Sequence, residues 1–190
     1  RSLGKVFRDR RLVPQGAESQ FDAAIASAYR LRNSVAAEVL LIAFVYAVGI
    51  LFVWRHYMAL DTSTWYATAA ADGSRLTPAG MWYGFVSLPF FQFLLLRWYF
   101  RLFIWTRLLW QVSRIELQLV PTHPDRAGGL AFVSTMVHAF VPLLMAHGAL
   151  FAGNLANRIF HLGATLPQYR LEILLLVVVL LLLILGPLAV

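Results

Sequence analysis

Three groups of residues in this chain have types and spacings that could do chemistry. The first is a row of arginines, Arg97, Arg101, Arg107 and Arg114, threaded through Trp98, Tyr99, Phe100, Phe103, Trp105 and Trp110. On a helix turning 100° per residue, Arg97, Arg101, Gln111 and Arg114 fall in a narrow stripe with Arg107 beside it. Such a stripe can snorkel to lipid phosphates, or it can line an anion pathway or headgroup site. The gaps of four, six and seven residues do not fit a voltage sensor, which wants an arginine every third residue.

The second group is the turn Pro121 to Leu130, P-T-H-P-D-R-A-G-G-L. Its prolines fix the backbone and remove donors. Asp125 stands where it can cap a following helix, and Gly128 and Gly129 permit positive φ. His123, Asp125 and Arg126 therefore sit beside a helix N-terminus, where anions are favoured. Two readings stand for this turn: a tight re-entry with a local Asp125–Arg126 pair, or an anion or lipid-headgroup site shared with Arg97 and Arg101. One His and one Asp are too few for a metal.

The third group is intramembrane. His147, Asn154, Arg158 and His161 share one helical stripe at spacings of seven, four and three, and His138 lies on the opposite face. Ionisable residues within a span are costly and tend to face a bundle interior or a water-filled cavity. They read either as interhelical hydrogen bonding or as an ion or proton path, with Glu38 as a further carboxylate that either pairs with an arginine or joins a relay. Axial ligation of a haem or chlorophyll by His138 or His147 is a third reading. No nucleophile elbow, zinc-protease, P-loop or dinucleotide-binding pattern occurs, so no motif implies a cofactor or catalysis.

The elements that must position these residues are membrane spans. Leu171 to Val190 carries no charge after Glu172, and twenty residues at ~1.5 Å each cover about 30 Å, the thickness of a bilayer core. Hydrophobic residues make up 60% of the 190 and charged residues 13%, far from the balance of a soluble domain. An all-α bundle of about four spans is expected: residues 34–54, 79–96, 129–152 and 171 onward. Residues 1–33 form a basic N-terminal segment with a short amphipathic helix over 17–32, able to lie on the membrane surface. Residues 34–190 form the transmembrane domain. Thr77 and Pro78 suit the start of the second helix, whose pattern runs on to Pro121, with Pro89 able to bend it. Pro142 is expected to kink the third span. Residues 55–79 and 153–170 read as polar connections, the latter partly helical. The sequence stops at Val190 inside an apolar run, and the natural chain is expected to continue.

The net charge is +7, and there is no cysteine, hence no disulfide, thiolate or Cys-bound metal. Seven Lys or Arg residues precede the first span, two follow it, five lie between the second and third, and two precede the fourth. That alternation places the N-terminus and residues 97–128 on the cytoplasmic side. It also makes anionic lipid, and not nucleic acid, the expected partner of the basic face.

The stretch L-V-P-T-H-P-D-R-A-G-G-L, preceded by the Trp/Arg-rich helix, resembles a family of uncharacterised bacterial polytopic membrane proteins. The resemblance runs from F-D-A-A-I-A-S-A at Phe21 to G-P-L at Gly186. It implies a bacterial inner-membrane setting and a polar region after the fourth span, and it implies no mechanism. Two functions are weighed. One is a non-catalytic subunit assembling with itself or with other membrane proteins. The other is a transporter or channel using Arg97, Arg101, His147, Asn154 and Arg158. A haem- or pigment-associated subunit is a further alternative.

Overall fold

The computed structural model describes residues 3–10, 12–48, 65, 67–70, 73–119, 122 and 124–189. It is a helical protein with one two-stranded hairpin. Among the described residues, three helical stretches are long and apolar enough to cross a membrane: Pro78–Ser113, Ala131–Phe160 and Leu166–Leu188. The pair Gln15–Arg32 and Val35–Val48 would supply a fourth. Trp54 and Tyr57, expected to mark the far end of the first span, lie outside the described residues, as does His123. The chain divides into two compact units, Asn33–Phe100 and a second made of Arg1–Arg32 with Arg101–Val190.

In the unit Asn33–Phe100, α3 (Val35–Phe44) begins at Ser34, whose hydroxyl accepts from the Ala37 amide at 3.3 Å. The strands β1 (Ala67–Ala70) and β2 (Gly73–Leu76) pair antiparallel, Ala67 opposite Leu76 and Ala70 opposite Gly73. This stretch reads as a mere polar connection in the sequence. Next, α4 (Pro78–Trp82) starts as expected: Thr77 accepts from the Gly80 amide at 3.0 Å, and Pro78 occupies the first turn, where no amide is needed. The Thr77 hydroxyl also donates to the Trp65 carbonyl at 3.0 Å, and the Trp65 ring meets Tyr83 edge-on at 5.3 Å.

A π-helical turn, Tyr83–Ser87, joins α4 to α5 (Leu88–Ser113). Pro89 accounts for it. Proline cannot donate to the carbonyl four residues back, and one wider turn relieves the clash without ending the helix. The helix stops at Ser113, short of the expected Pro121. The Ser113 hydroxyl bonds the Trp110 carbonyl, and the chain then unwinds so that Ile115 and Leu117 turn inward. The extended residues that follow bond the Gln118 amide to the Leu12 carbonyl at 2.8 Å.

The second unit contains the only extended core among the described residues. It is built of Phe7, Leu12, Phe21, Val112 and Ile115, with Ile25, Leu108, Leu130 and Phe132 packed against it. Phe7, on α1 (Leu3–Asp9), is wholly buried, its ring 5.3 Å from Phe21 and 5.1 Å from Phe132. The helix α2 (Glu18–Arg32) turns Phe21 and Ala24 into protein and not onto lipid. The N-terminal segment is thus no detached basic arm; its apolar residues fold with the chain beyond Arg101. The third span starts as α6 (Ala131–Met136), passes a 3-10 turn at Val137–Phe140, and continues as α7 (Val141–Leu162). Pro142 sits in the first turn of α7, so the tight turn before it replaces the expected kink. Helix α7 extends through most of the stretch read as a connection, until Gly163 at φ 65° ends it. The fourth span is α8 (Arg170–Leu185), packed against the Val137–Phe140 turn.

Phe7→Ala should lower stability by about 3 kcal/mol, the usual cost of emptying a buried phenylalanine site. Thermal unfolding in detergent measures this; an unchanged melting temperature would show that the α1 core does not form.

Candidate functional site

The best-built polar site lies where the chain turns into the third span. Arg126 has φ 55°, Gly128 φ 61° and Gly129 φ 98°, a nearly continuous left-handed run. Only glycine adopts this freely, and a Cβ on Gly128 would stand 3.2 Å from the Leu119 Cβ. The run aims successive amides inward. The carboxylate of Asp125 accepts from Ala127 and Gly129 at 3.0 Å each and from Ala131, at the start of α6, at 3.2 Å. Asp125 thus caps the third span, as the turn's sequence predicts.

Its cation is not the neighbouring Arg126, whose side chain is exposed. Arg10 takes that role from 115 residues away in sequence. Its Nη1 donates to the Gly129 carbonyl at 2.7 Å, lies 3.7 Å from the Asp125 Oδ2, and its guanidinium covers the Phe132 ring at 5.0 Å. The Asp125 side chain is 13% exposed. The amides that looked available to an outside anion are therefore turned onto the protein's own carboxylate. Sequence spacing held no sign of Arg10, one of several arginines in a basic segment.

Glu38 and Arg97 meet at 2.9 Å within the unit Asn33–Phe100, so Glu38 takes the facing-arginine option. Arg97 lies 19 residues past Pro78, about 28 Å along the helix, which puts the pair near one edge of the apolar layer. Beyond it, Arg101 is exposed, Arg107 donates to the Ser27 hydroxyl at 2.9 Å, and Arg114 lies over the Trp110 ring at 5.4 Å. The arginine row is thus divided among separate partners and lines no common channel within either unit.

The third-span residues behave alike. The His138 Nδ1 faces the Thr135 carbonyl at 3.0 Å and the His147 Nδ1 the Leu143 carbonyl at 2.7 Å. A carbonyl only accepts, so each ring donates through Nδ1. The Asn154 amide donates to the Leu150 carbonyl at 3.3 Å, and Arg158 lies over the Tyr169 ring at 5.6 Å. Asn154 and Arg158 are exposed, as is His138 on its opposite face, while His147 is half-buried; His161 follows on the same helix. No three His, Asp or Glu side chains converge as a metal site among the described residues.

Comparison with protein-family models, curated proteins and solved structures finds no match.

Asp125→Ala should cost about 3 kcal/mol, because three amides lose a charged acceptor. Gly128→Ala should cost about 1–2 kcal/mol from the left-handed backbone alone. If Arg10 and Asp125 act together, Arg10→Ala should add little on top of Asp125→Ala in a double-mutant cycle of melting temperatures. Full additivity would separate the two.

Proposed function

We propose that this chain is a non-catalytic subunit of an oligomeric complex in the bacterial inner membrane, with its N-terminus cytoplasmic and its third span as the assembly helix. The observation that carries this is the exposure of that span. No more than 17% of the most apolar stretch of any of the three long helices is buried, and for the third span the share is 11%. Lipid suits the fourth span, which is leucine, valine and isoleucine from Ile173 to Leu185. It suits α7 less well.

One side of α7 exposes Gly148, Ala149, Ala152 and Gly153, and a Cβ on either glycine would meet nothing within 4 Å. Small residues of this kind let a second helix backbone approach closely. The nearly opposite side carries His147, Asn154 and Arg158, polar groups that are costly against hydrocarbon. A helix with two distinct outward surfaces, neither suited to lipid, fits a position between neighbouring subunits. Those neighbours are further copies of this chain or other membrane subunits.

A second reading rests on the polar side alone. In a ring of subunits, His147, Asn154 and Arg158 at spacings of seven and four would line a shared path, and the protein would conduct ions or carry a substrate. A haem-associated role needs a second axial ligand from another chain, because His138 in the Val137–Phe140 turn and His147 in α7 lie nine residues apart along one helical stretch.

The test is purification in mild detergent, with mass and absorption spectrum read on the same peak. A stable oligomer or a stoichiometric partner is expected. Gly153→Ala should weaken assembly by about tenfold, or ~1.4 kcal/mol, without lowering the subunit's own melting temperature, since the added Cβ meets nothing within 4 Å in the subunit. A monomer in both mild detergent and lipid nanodiscs would sink the proposal. Ion flux in liposomes that is lost on changing His147 or Arg158 would favour the second reading, and a Soret band the third.

A further inference from the structure

We infer that the hairpin between the first and second spans pairs with the same hairpin of a second copy of this chain, β1 against β1, in one continuous antiparallel sheet. The second copy is the one that the assembly reading above supplies, and this contact rests on that reading. Little holds the hairpin by itself. Each strand has four residues, Ala-Thr-Ala-Ala in β1 and Gly-Ser-Arg-Leu in β2. Alanine and glycine are poor strand formers, and a hairpin of two short strands is marginal in water unless a further strand or a helix supports it. Part of that support lies at its base. The Thr77 hydroxyl donates to the Trp65 carbonyl, which closes the flanking residues on each other and on the start of α4. β2 runs into that helix and contacts it. β1 pairs with β2 alone among the described residues.

The register says which backbone groups are left over. Ala70 pairs with Gly73, two residues separate them, and the residues that flank so short a connection form a hydrogen-bonded pair. Hydrogen-bonded and non-hydrogen-bonded pairs then alternate, so Ala70 and Thr68 turn their backbone groups toward β2, and Ala69 and Ala67 turn theirs outward. Among the described residues neither Ala67 nor Ala69 makes a hydrogen bond on that outer side. Edge strands that stay single usually carry a charge, a proline or a bulge. β1 carries none of these, and its pairing with β2 is continuous. A second copy fits this edge because an antiparallel pair of identical strands is related by a two-fold axis, so each strand is its own complement. With the axis at Thr68, Ala67 stands opposite Ala69 of the second copy, and Ala69 opposite its Ala67. Every outward amide and carbonyl of these residues then has a partner in both copies. The equivalent pairing of β2 with β2 puts the axis at Arg75 and sets that residue opposite itself, and like charges directly opposite are destabilising. The open edge is therefore that of β1.

The chain contains no cysteine, so a single introduced one reports its own neighbour. Thr68→Cys and, separately, Ser74→Cys are made in the full chain, and membranes holding each are treated with a mild oxidant. Residues opposite each other in a non-hydrogen-bonded antiparallel pair have Cα atoms about 4.5 Å apart, within the span of a disulfide. Thr68→Cys should give a cross-linked dimer, and Ser74→Cys, on the outer side of β2, should give little. Ala69→Pro removes an outward donor and leaves in place the groups that face β2. It should weaken dimer formation roughly thirtyfold, because one backbone hydrogen bond is lost on each side of the axis. Should the proline variant fail to fold, the two cysteine variants decide. An oligomer by mass in which Thr68→Cys does not cross-link overturns this inference and leaves the assembly reading standing. A monomer overturns both. Equal cross-linking at the two positions, linkage of Thr68→Cys to a different protein, or full dimer formation by a folded Ala69→Pro chain also overturns it.

Discussion

The carboxylate of Asp125 holds the turn on which the second unit depends. Three amides point at it from a backbone that only glycine adopts without strain, and one of them begins the third span. Without that acceptor the amides would stay partly buried and unpaired, and the left-handed run would have nothing to balance its cost. Arg10 then fastens the N-terminal segment to the same turn through the Gly129 carbonyl and the Phe132 ring. Fastening Arg10 in turn brings Phe7, three residues earlier, against Phe132 and Phe21. The small core outside the spans therefore follows from one charged acceptor and the cation that covers it.

Much of this fold was legible in the sequence, and what was legible is local. The apolar runs, the Ser34 and Thr77 caps and the capping role of Asp125 all rest on residues within a few positions of each other, or on composition. What escaped was non-local. Arg10 finds Asp125 across 115 residues, and no spacing rule distinguishes it from Arg8 or Lys5. The basic segment carries few apolar residues, yet Phe7 and Leu12 are among the least exposed of the described residues. Two well-placed apolar side chains suffice to anchor a polar segment, and average composition hides them. Helix irregularities fall in between. Pro89 and Pro142 announced some departure from a regular helix, but a wide turn in one case and a tight turn in the other depend on whether proline falls inside a helix or at its start.

The candidate site was less legible, because residue type does not reveal where a side chain spends its hydrogen bonds. Ser134, Thr135, His138, His147 and Asn154 each return to a backbone carbonyl three or four residues back. In an apolar solvent this is the nearest available partner, and it needs no second helix. A polar stripe on a span is therefore weak support for a pathway until the side chains are seen to face one another. The arginine row teaches the same point. Arg97, Arg107 and Arg114 go to a carboxylate, a hydroxyl and an indole ring at different heights along the helix.

The self-satisfaction of those groups is incomplete, and the remainder carries the functional argument. A carboxamide that donates once to its own helix keeps an unspent acceptor and a second N–H. On a soluble protein water would take both. On the outer side of a span water is absent, so the residual hydrogen-bonding capacity of α7 must be met by protein, by a polar headgroup at its end, or not at all. Leaving it unmet costs more than an apolar side chain would at the same positions. The fourth span shows that this chain can build a helix wholly suited to lipid; the third is built otherwise, small on one side and polar on the other. That contrast between two neighbouring spans, under one solvent constraint, is what points to assembly.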